Sequence, residues 1–265
     1  MRWAELIETH PPRSVMGFLK RAGRGINRCG MIGDGDRVLL SISGGKDSLA
    51  MALALRMRLR FVPITYALEA VMIDWREHPH TPESLTEIRR FFDALEIPFT
   101  VIEADMRPDS FGGRFDCYRC GRNRRRILFD YVRQWPGRPL IATGHHLDDL
   151  VQTTLMNMVI HGTFATMNPV QSFFDDALRV IRPLCEVRES TIRGVTEACA
   201  LPVSSIDCPF REKNVRSRVA PIVEDLARIH PNAREQIFAS LHHIDADYLP
   251  ASCEPPFDDV HSEVT

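Results

Sequence analysis

The sequence has no apolar run long enough to cross a membrane. Its first stretch, MRWAELIETHPPRS, has no apolar core of the kind a secretory leader carries. A cytoplasmic protein is the expectation. The chain has seven cysteines, an odd number, so a disulfide framework is not expected. Charge of one sign is not in excess: the net value is −2, which alone argues for no nucleic-acid partner. Internal repeats and low-complexity segments are missing too. So is the phosphate loop G-x-x-x-x-G-K-[ST]. Leu40 stands where its first glycine should be, and Asp47 follows Lys46 where Ser or Thr is required.

What is present is ordinary in amount and uneven in placement. The 265 residues, 44% apolar and 26% charged, suit one large α/β domain or one domain with appendages. Residues 114–133 carry seven Arg against two Asp, and 211–218, REKNVRSR, four basic residues against one Glu. The chain after Pro250 has four acids and no Lys or Arg. The near-zero average therefore hides a basic stripe and an acidic end.

Strand and helix signals alternate. Strands are expected at 37–43, 67–74, 98–104, 138–146 and 177–184. Helices are expected at 48–59, 82–95, 123–134 and 147–160, then at 188–200, 215–229 and 232–247. Alternation of this kind predicts an α/β fold: a doubly wound parallel sheet of about five strands with a helical C-terminal extension. The expected division is an N-terminal helical segment (1–30), a nucleotide-binding domain (31–186), a helical extension (187–250) and a loose acidic tail (251–265).

In such a sheet ligands lie at the carboxyl ends of the strands, near a switch in strand order. The run SGGKDS, residues 43–48, stands at the end of the first strand and opens a helix. Gly44 and Gly45 let the backbone approach a ligand, and the helix start offers unpaired N–H groups to an anion. Lys46 adds charge, Ser43 and Ser48 add hydroxyls, and Asp47 can cap the helix or hold a metal. The bland alternative is a glycine turn before a capped helix. At the fourth strand's end, Gly144 precedes His145 and His146, either of which could touch nucleotide or metal. Asp148 and Asp149 can cap a helix or, beside a pyrophosphate, hold Mg²⁺. Asp74 ends the second strand, where ribose or adenine is expected.

Cys29, Cys185, Cys199 and Cys253 are isolated and read as small apolar residues or an inert thiol. Cys117 and Cys120 form a C-x-x-C, and Cys208 makes a third thiol with no obvious fourth. Zinc with an open position (or with His161 or Asp207 as fourth ligand), a redox or persulfide pair, and an iron–sulfur cluster all stay open. On a helical wheel Arg119, Arg122, Arg126 and Arg133 share one stripe, opposite Ile127, Leu128, Tyr131 and Val132. That stripe is either a solvated basic face or a grip on an RNA backbone. Arg124 falls on the apolar side and is expected to face the sheet.

S-G-G-x-D-S resembles the signature of the PP-loop pyrophosphatases, which cleave ATP between the α- and β-phosphates and pass AMP to an oxygen. GHHLDD (144–149) is similar to that superfamily's second motif. CYRCGRNRRRIL (117–128), VIRPL (180–184) with Arg188–Glu189, and the lone Cys208 resemble the tRNA 2-thiocytidine synthetase branch over roughly residues 15–250. Some members carry a second C-x-x-C near Cys208. Here Arg211 takes its second place, so no four-cysteine zinc site can form from these residues.

The resemblance implies ATP-dependent thiolation of a tRNA cytidine at C2. ATP and Mg²⁺ would sit at the glycine loop, with Lys46 and Asp47 catalytic. A 4Fe-4S cluster would be held by Cys117, Cys120 and Cys208. The partners implied are tRNA and a sulfur donor, either a desulfurase or free sulfide. Room is left for a homodimer. A 2-thiouridine synthetase and a PP-loop ligase or amidotransferase acting on a small molecule remain as alternatives.

Overall fold

The structure is a computed structural model describing Trp3 and residues 11–107, 116–204 and 215–249. Asp207, Cys208, Arg211, Cys253 and the acidic tail lie outside the described residues. The chain divides into two compact units, Met1–Leu147 with Asn168–Asn214, and Asp148–Met167 with Val215–Thr265. No described helix is long and apolar enough to cross a membrane.

The described strands are β1 (Arg37–Ile42), β2 (Ala67–Trp75), β3 (Phe99–Ala104), β4 (Leu140–Ala142), β5 (Val170–Phe173) and β6 (Leu178–Ile181). The described α-helices are α1 (Arg13–Arg28), α2 (Lys46–Arg58), α3 (Pro82–Ala94), α4 (Cys117–Val132), α5 (Leu147–His161), α6 (Glu189–Ala198), α7 (Val215–Ile229) and α8 (Ala233–Ser240). In the first unit the sheet order is β3-β2-β1-β4-β6-β5. Every neighbouring pair is parallel except β5 and β6.

Both faces of the sheet are covered, which explains why β1 reads as a continuous apolar run. One core cluster takes alternate residues: Leu39 of β1, Val71, Ile73 and Trp75 of β2, Ile141 of β4 and Val180 of β6, with Leu128 and Val132 of α4. The residues between them, such as Val38, Leu40, Ala70 and Met72, are equally buried and point to the opposite face. Helix α2 is buried on every side from Leu49 to Leu55 and packs with α1 and α6. Helix α1 reaches that layer through Val15, Phe18, Leu19, Ala22 and Ile26, spaced three and four apart. Helix α3 starts on a Thr81 cap that accepts from Ser84 N at 3.2 Å, with Pro82 in its first turn.

The five expected strands are all present, and the sheet has a sixth. VQSF is too short and too mixed to announce a strand, but β5 pairs antiparallel with β6 as a hairpin. The turn holds Phe174, Asp175 and Asp176 at φ of 53°, 54° and 67°. The Asp176 carboxylate fixes this left-handed run, accepting from Ser172 Oγ and Arg138 Nη1, each at 2.7 Å, and from Arg179 Nη2 at 2.6 Å. Helix α4 also begins earlier than its apolar pattern suggests, at Cys117 rather than residue 123. Asp116 caps it, accepting from Arg119 N at 2.8 Å.

Candidate active site

The order of the sheet reverses between β1 and β4, so the loops leaving these strands border the switch point. The loop after β1 is the glycine run. Gly44 has φ +77°, a backbone that favours glycine. Gly45 is the N-cap of α2, at φ −73° and ψ 158°, with no side-chain cap bond. The first-turn N–H groups are thus left to an anion rather than to a capping oxygen. The two serines brace the loop. Ser48 Oγ donates to Gly45 O at 2.9 Å and accepts from Ser43 N at 3.2 Å and Ser43 Oγ at 3.3 Å.

The loop after β4 closes on the same helix start. A Cβ on Gly144 would lie 2.9 Å from Ser48 N and 3.0 Å from the Asp47 carbonyl carbon, so only glycine fits. Thr143 N donates to Ile181 O at 3.0 Å, and Thr143 Oγ1 holds His145 Nδ1 at 2.9 Å. His146 is buried, with Nε2 3.7 Å from Asp47 Oδ1. That oxygen is itself buried without a hydrogen-bond partner. An orphaned hard carboxylate oxygen beside a phosphate cradle fits Mg²⁺, which binds through one or two carboxylates plus phosphate oxygens. The cradle, glycine-lined and open at the helix amides, fits a nucleotide phosphate chain.

Lys46 Nζ lies 2.9 Å from Glu189 Oε1 and 3.1 Å from Asp47 Oδ2. Burial works against its charge, but the Glu189 hydrogen bond and the Asp47 carboxylate outweigh it and hold its pKa above the ordinary lysine value. Burial pushes the Glu189 carboxyl up, and Lys46 more than reverses this, leaving it below the ordinary value. Arg182 of the VIRPL run is buried and donates through Nη1 to Asn168 O. Burial pulls its pKa down to about 10.

Asp74 closes β2 and is turned toward the protein. Its Oδ1 accepts from His80 N at 2.9 Å and lies 2.8 Å from His80 Nδ1. Asp148 and Asp149 lie in the second unit. There Arg234 bridges Asp148 and Glu224, and Arg216 Nη1 reaches Asp149 at 3.0 Å.

The C-x-x-C occupies the first turn of α4, with Cys117 exposed and Cys120 half-buried. Residues three apart lie on one helical face, so this turn can present two thiolates together, which fits part of a cluster's thiolate set. Arg122, Arg126 and Arg133 are exposed and Arg119 is half-buried. Arg124 points to the sheet, its guanidinium carbon 5.6 Å from the centre of the Trp75 ring. The roles of three contributors were not legible in the sequence. Asn123, buried at 1% exposure, donates to Asp105 O at 3.0 Å and Met106 O at 3.2 Å, fixing α4 to the exit of β3. His80 has no motif around it. Glu189, noted only as part of an Arg-Glu pair, is the Lys46 counter-ion.

A family model described as a PP-loop domain matches residues 21–201, and the chain belongs to that family. Among curated proteins it is similar to the tRNA-cytidine(32) 2-sulfurtransferase of Bdellovibrio bacteriovorus, 32% identical over 87% of this chain and 89% of that one. The protein of the same name from Anaeromyxobacter sp. is 33% identical over 88% of this chain and 77% of its own. Among solved structures, the U34-tRNA thiolase NcsA from Methanococcus maripaludis, with its [4Fe-4S] cluster, has a TM-score of 0.65. It shares 22% identity, covering 87% of this chain and 81% of that one. At that identity the likeness shows the shared fold.

Proposed function

We infer that this chain is an ATP-dependent tRNA sulfurtransferase that replaces O2 of the cytidine at position 32 with sulfur. One observation carries the reading: a phosphate cradle at the switch point and a C-x-x-C on an accessible helical turn stand in one chain. That chain is 32–33% identical, over most of its length, to proteins of that name.

The cytosine O2 attacks the α-phosphate of ATP, and pyrophosphate leaves. Gly44, Gly45 and the first-turn amides of α2 hold the phosphates, and Lys46 meets the charge that builds on the leaving group. Asp47 Oδ1 is the oxygen that would hold Mg²⁺, which offsets phosphate charge. Sulfur at the sulfide level (HS⁻) then adds at C2 and gives up its proton, the C2–O bond breaks, and AMP departs with the oxygen. Cys117, Cys120 and Cys208 would hold a cluster whose fourth iron stays open to an exogenous sulfur ligand. The exposed Arg122, Arg126 and Arg133, with Arg119, suit the phosphates of a single-stranded loop, whose unpaired base can be splayed out.

The sulfur is supplied as free sulfide, or by a desulfurase as a persulfide that a thiol reductant takes to the sulfide level with two electrons, and the setting is the cytoplasm. The test is mass spectrometry of tRNA nucleosides from cells with and without the gene. Loss of 2-thiocytidine is expected. Loss of 2-thiouridine instead would move the assignment to the uridine enzymes, and an unchanged profile would overturn it.

A further inference from the structure

Behind the glycine loop lies a buried pair that the mechanism above does not use. The side chains of His80 and Asp74 are 1% and 9% exposed. A carboxylate can only accept, so the 2.8 Å contact puts the ring proton on Nδ1. The other nitrogen, Nε2, is buried without a hydrogen-bond partner. It lies 2.9 Å from the place a Gly44 Cβ would take, with Met72 Cε and the Ser204 carbonyl oxygen each at 3.2 Å from that place. Ser204 N in turn donates to Gly44 O at 2.9 Å. Gly44 is therefore gripped from both sides, and a buried polar atom is left unsatisfied at the loop that must hold phosphate. Unsatisfied buried groups of this kind are rare enough in folded proteins to call for an explanation.

We propose that Asp74 and His80 act as one unit that fixes the left-handed Gly44, and that Asp74 influences the nucleotide only through His80. His80 is a positioning residue: its ring edge occupies the space beside the glycine and holds the loop in the shape that receives phosphate. Asp74 Oδ1 sets the tautomer and orientation of that ring by accepting from Nδ1, and it ties down the loop by accepting from the His80 backbone N–H. This differs from the direct contact with ribose or adenine that the strand-end position of Asp74 suggests. The proposal rests on the assignment of the glycine loop to ATP.

The test is a double-mutant cycle on pyrophosphate release, with ATP and 2′-deoxyATP compared, in the full chain with tRNA. Asp74→Ala and His80→Ala are each expected to raise the KM for ATP about tenfold, within the range of directly coupled neighbours. The double variant should be no worse than the weaker single. The ratio of kcat/KM for ATP over 2′-deoxyATP should stay at the wild-type value in all three. A purely structural lesion would not produce this pattern of raised KM, non-additive effects and unchanged sugar discrimination.

If an alanine variant fails to fold, Asp74→Asn and His80→Asn replace it. The first keeps an acceptor for Nδ1 and should leave KM within about twofold; the second keeps a donor to Asp74, loses the ring edge, and should still raise it. A wild-type KM in the His80 variants overturns the proposal. So do additive effects, and so does a lost preference for ATP over 2′-deoxyATP in Asp74→Ala alone, which would place Asp74 on the ribose. Wild-type protein that does not bind ATP at all would bring down the nucleotide assignment itself, and the proposal with it.

Discussion

The glycine loop and the first turn of α4 do their work in opposite ways. Around the loop almost every atom is specified by a neighbour. Gly144 presses on Ser48, the serines brace one another, and Lys46 is met by Glu189. Its chemistry needs backbone dipoles held still before the substrate arrives, and close packing achieves that. The thiol turn is left open instead. Cys117 is exposed, and so is Tyr118 at 68%. The helix is anchored through Asn123, Leu128 and Val132, and the half-buried Cys120 packs against the same core. In the proposed reading these thiolates take up an exogenous group and these cations meet RNA, and both roles require them to be reachable. Rigidity is built where charge is stabilised, and access is kept where partners come and go.

The largest expected effects would separate the two regions outright. Lys46→Ala and Asp47→Ala should each cut thiolation by at least about a hundredfold, the scale of losing a preorganised electrostatic group, with the visible spectrum of anaerobically purified protein unchanged. Cys117→Ala and Cys120→Ala should remove both thiolation and iron yet leave ATP binding intact. Iron loss in the loop variants, or ATP loss in the cysteine variants, would mean the regions are not independent.

Glycines give a finer contrast. Gly144→Ala must displace the start of α2 and should cost about 1–3 kcal/mol in chemical denaturation. Nothing outside its own helix lies within 4 Å of a Cβ on Gly121, in α4. Gly121→Ala should therefore stabilise the protein, by about 0.5–1 kcal/mol. Equal signs for the two would erase the contrast between a packed and an open region.

Arg122→Ala with Arg126→Ala should lower the slope of log K against log salt for tRNA by roughly 1.4, at about 0.7 per phosphate on single strands. Arg124→Ala should leave that slope alone and impair turnover or folding, because its side chain lies over Trp75. An unchanged slope in the double variant would make the stripe an ordinary solvated face.

The smallest effect concerns a thiol away from both regions. The Cys185 thiol hydrogen-bonds to Cys29 and, against some burial and with help from Arg28, lowers its pKa to about 7. Alkylation of Cys29 should thus be half-maximal near neutral pH, rising with pH, while buried Cys185 stays inert. A Cys29 midpoint at the ordinary thiol value would show that the pair does not form.

What the sequence made legible was whatever is written consecutively. The strand–loop–helix around SGGKDS, the alternation of elements and the inward turn of Arg124 all follow from local pattern. Pairings across long separations were out of reach. Asp148 and Asp149 stand at a helix start in the sequence, and no local pattern announces that within the second unit they meet Arg234 and Arg216, 86 and 67 residues away. Strand β5 is defined by its partner rather than by its own four residues. His80 finds Asp74 over only six residues, yet through a loop whose path no residue preference dictates. Cys29 and Cys185 each looked solitary because their contact joins the end of α1 to the turn after β6.

Strand β2 ends on two residues that face different neighbours, the glycine loop and helix α4. Successive side chains of a strand point to opposite faces. Asp74 turns to His80 and the glycine loop, while Trp75 turns to α4 and carries Arg124 on its ring. The strand is buried from Ala70 to Trp75 on both faces, so its apolar pattern alone would tolerate a slip by one residue. Such a slip would put a carboxylate under the arginine helix and an indole under the phosphate loop. Together with Glu69, which meets Tyr131 and Arg37 further back along the strand, these two adjacent letters set the register of β2, and a one-residue insertion or deletion there would disturb the loop and the helix at once.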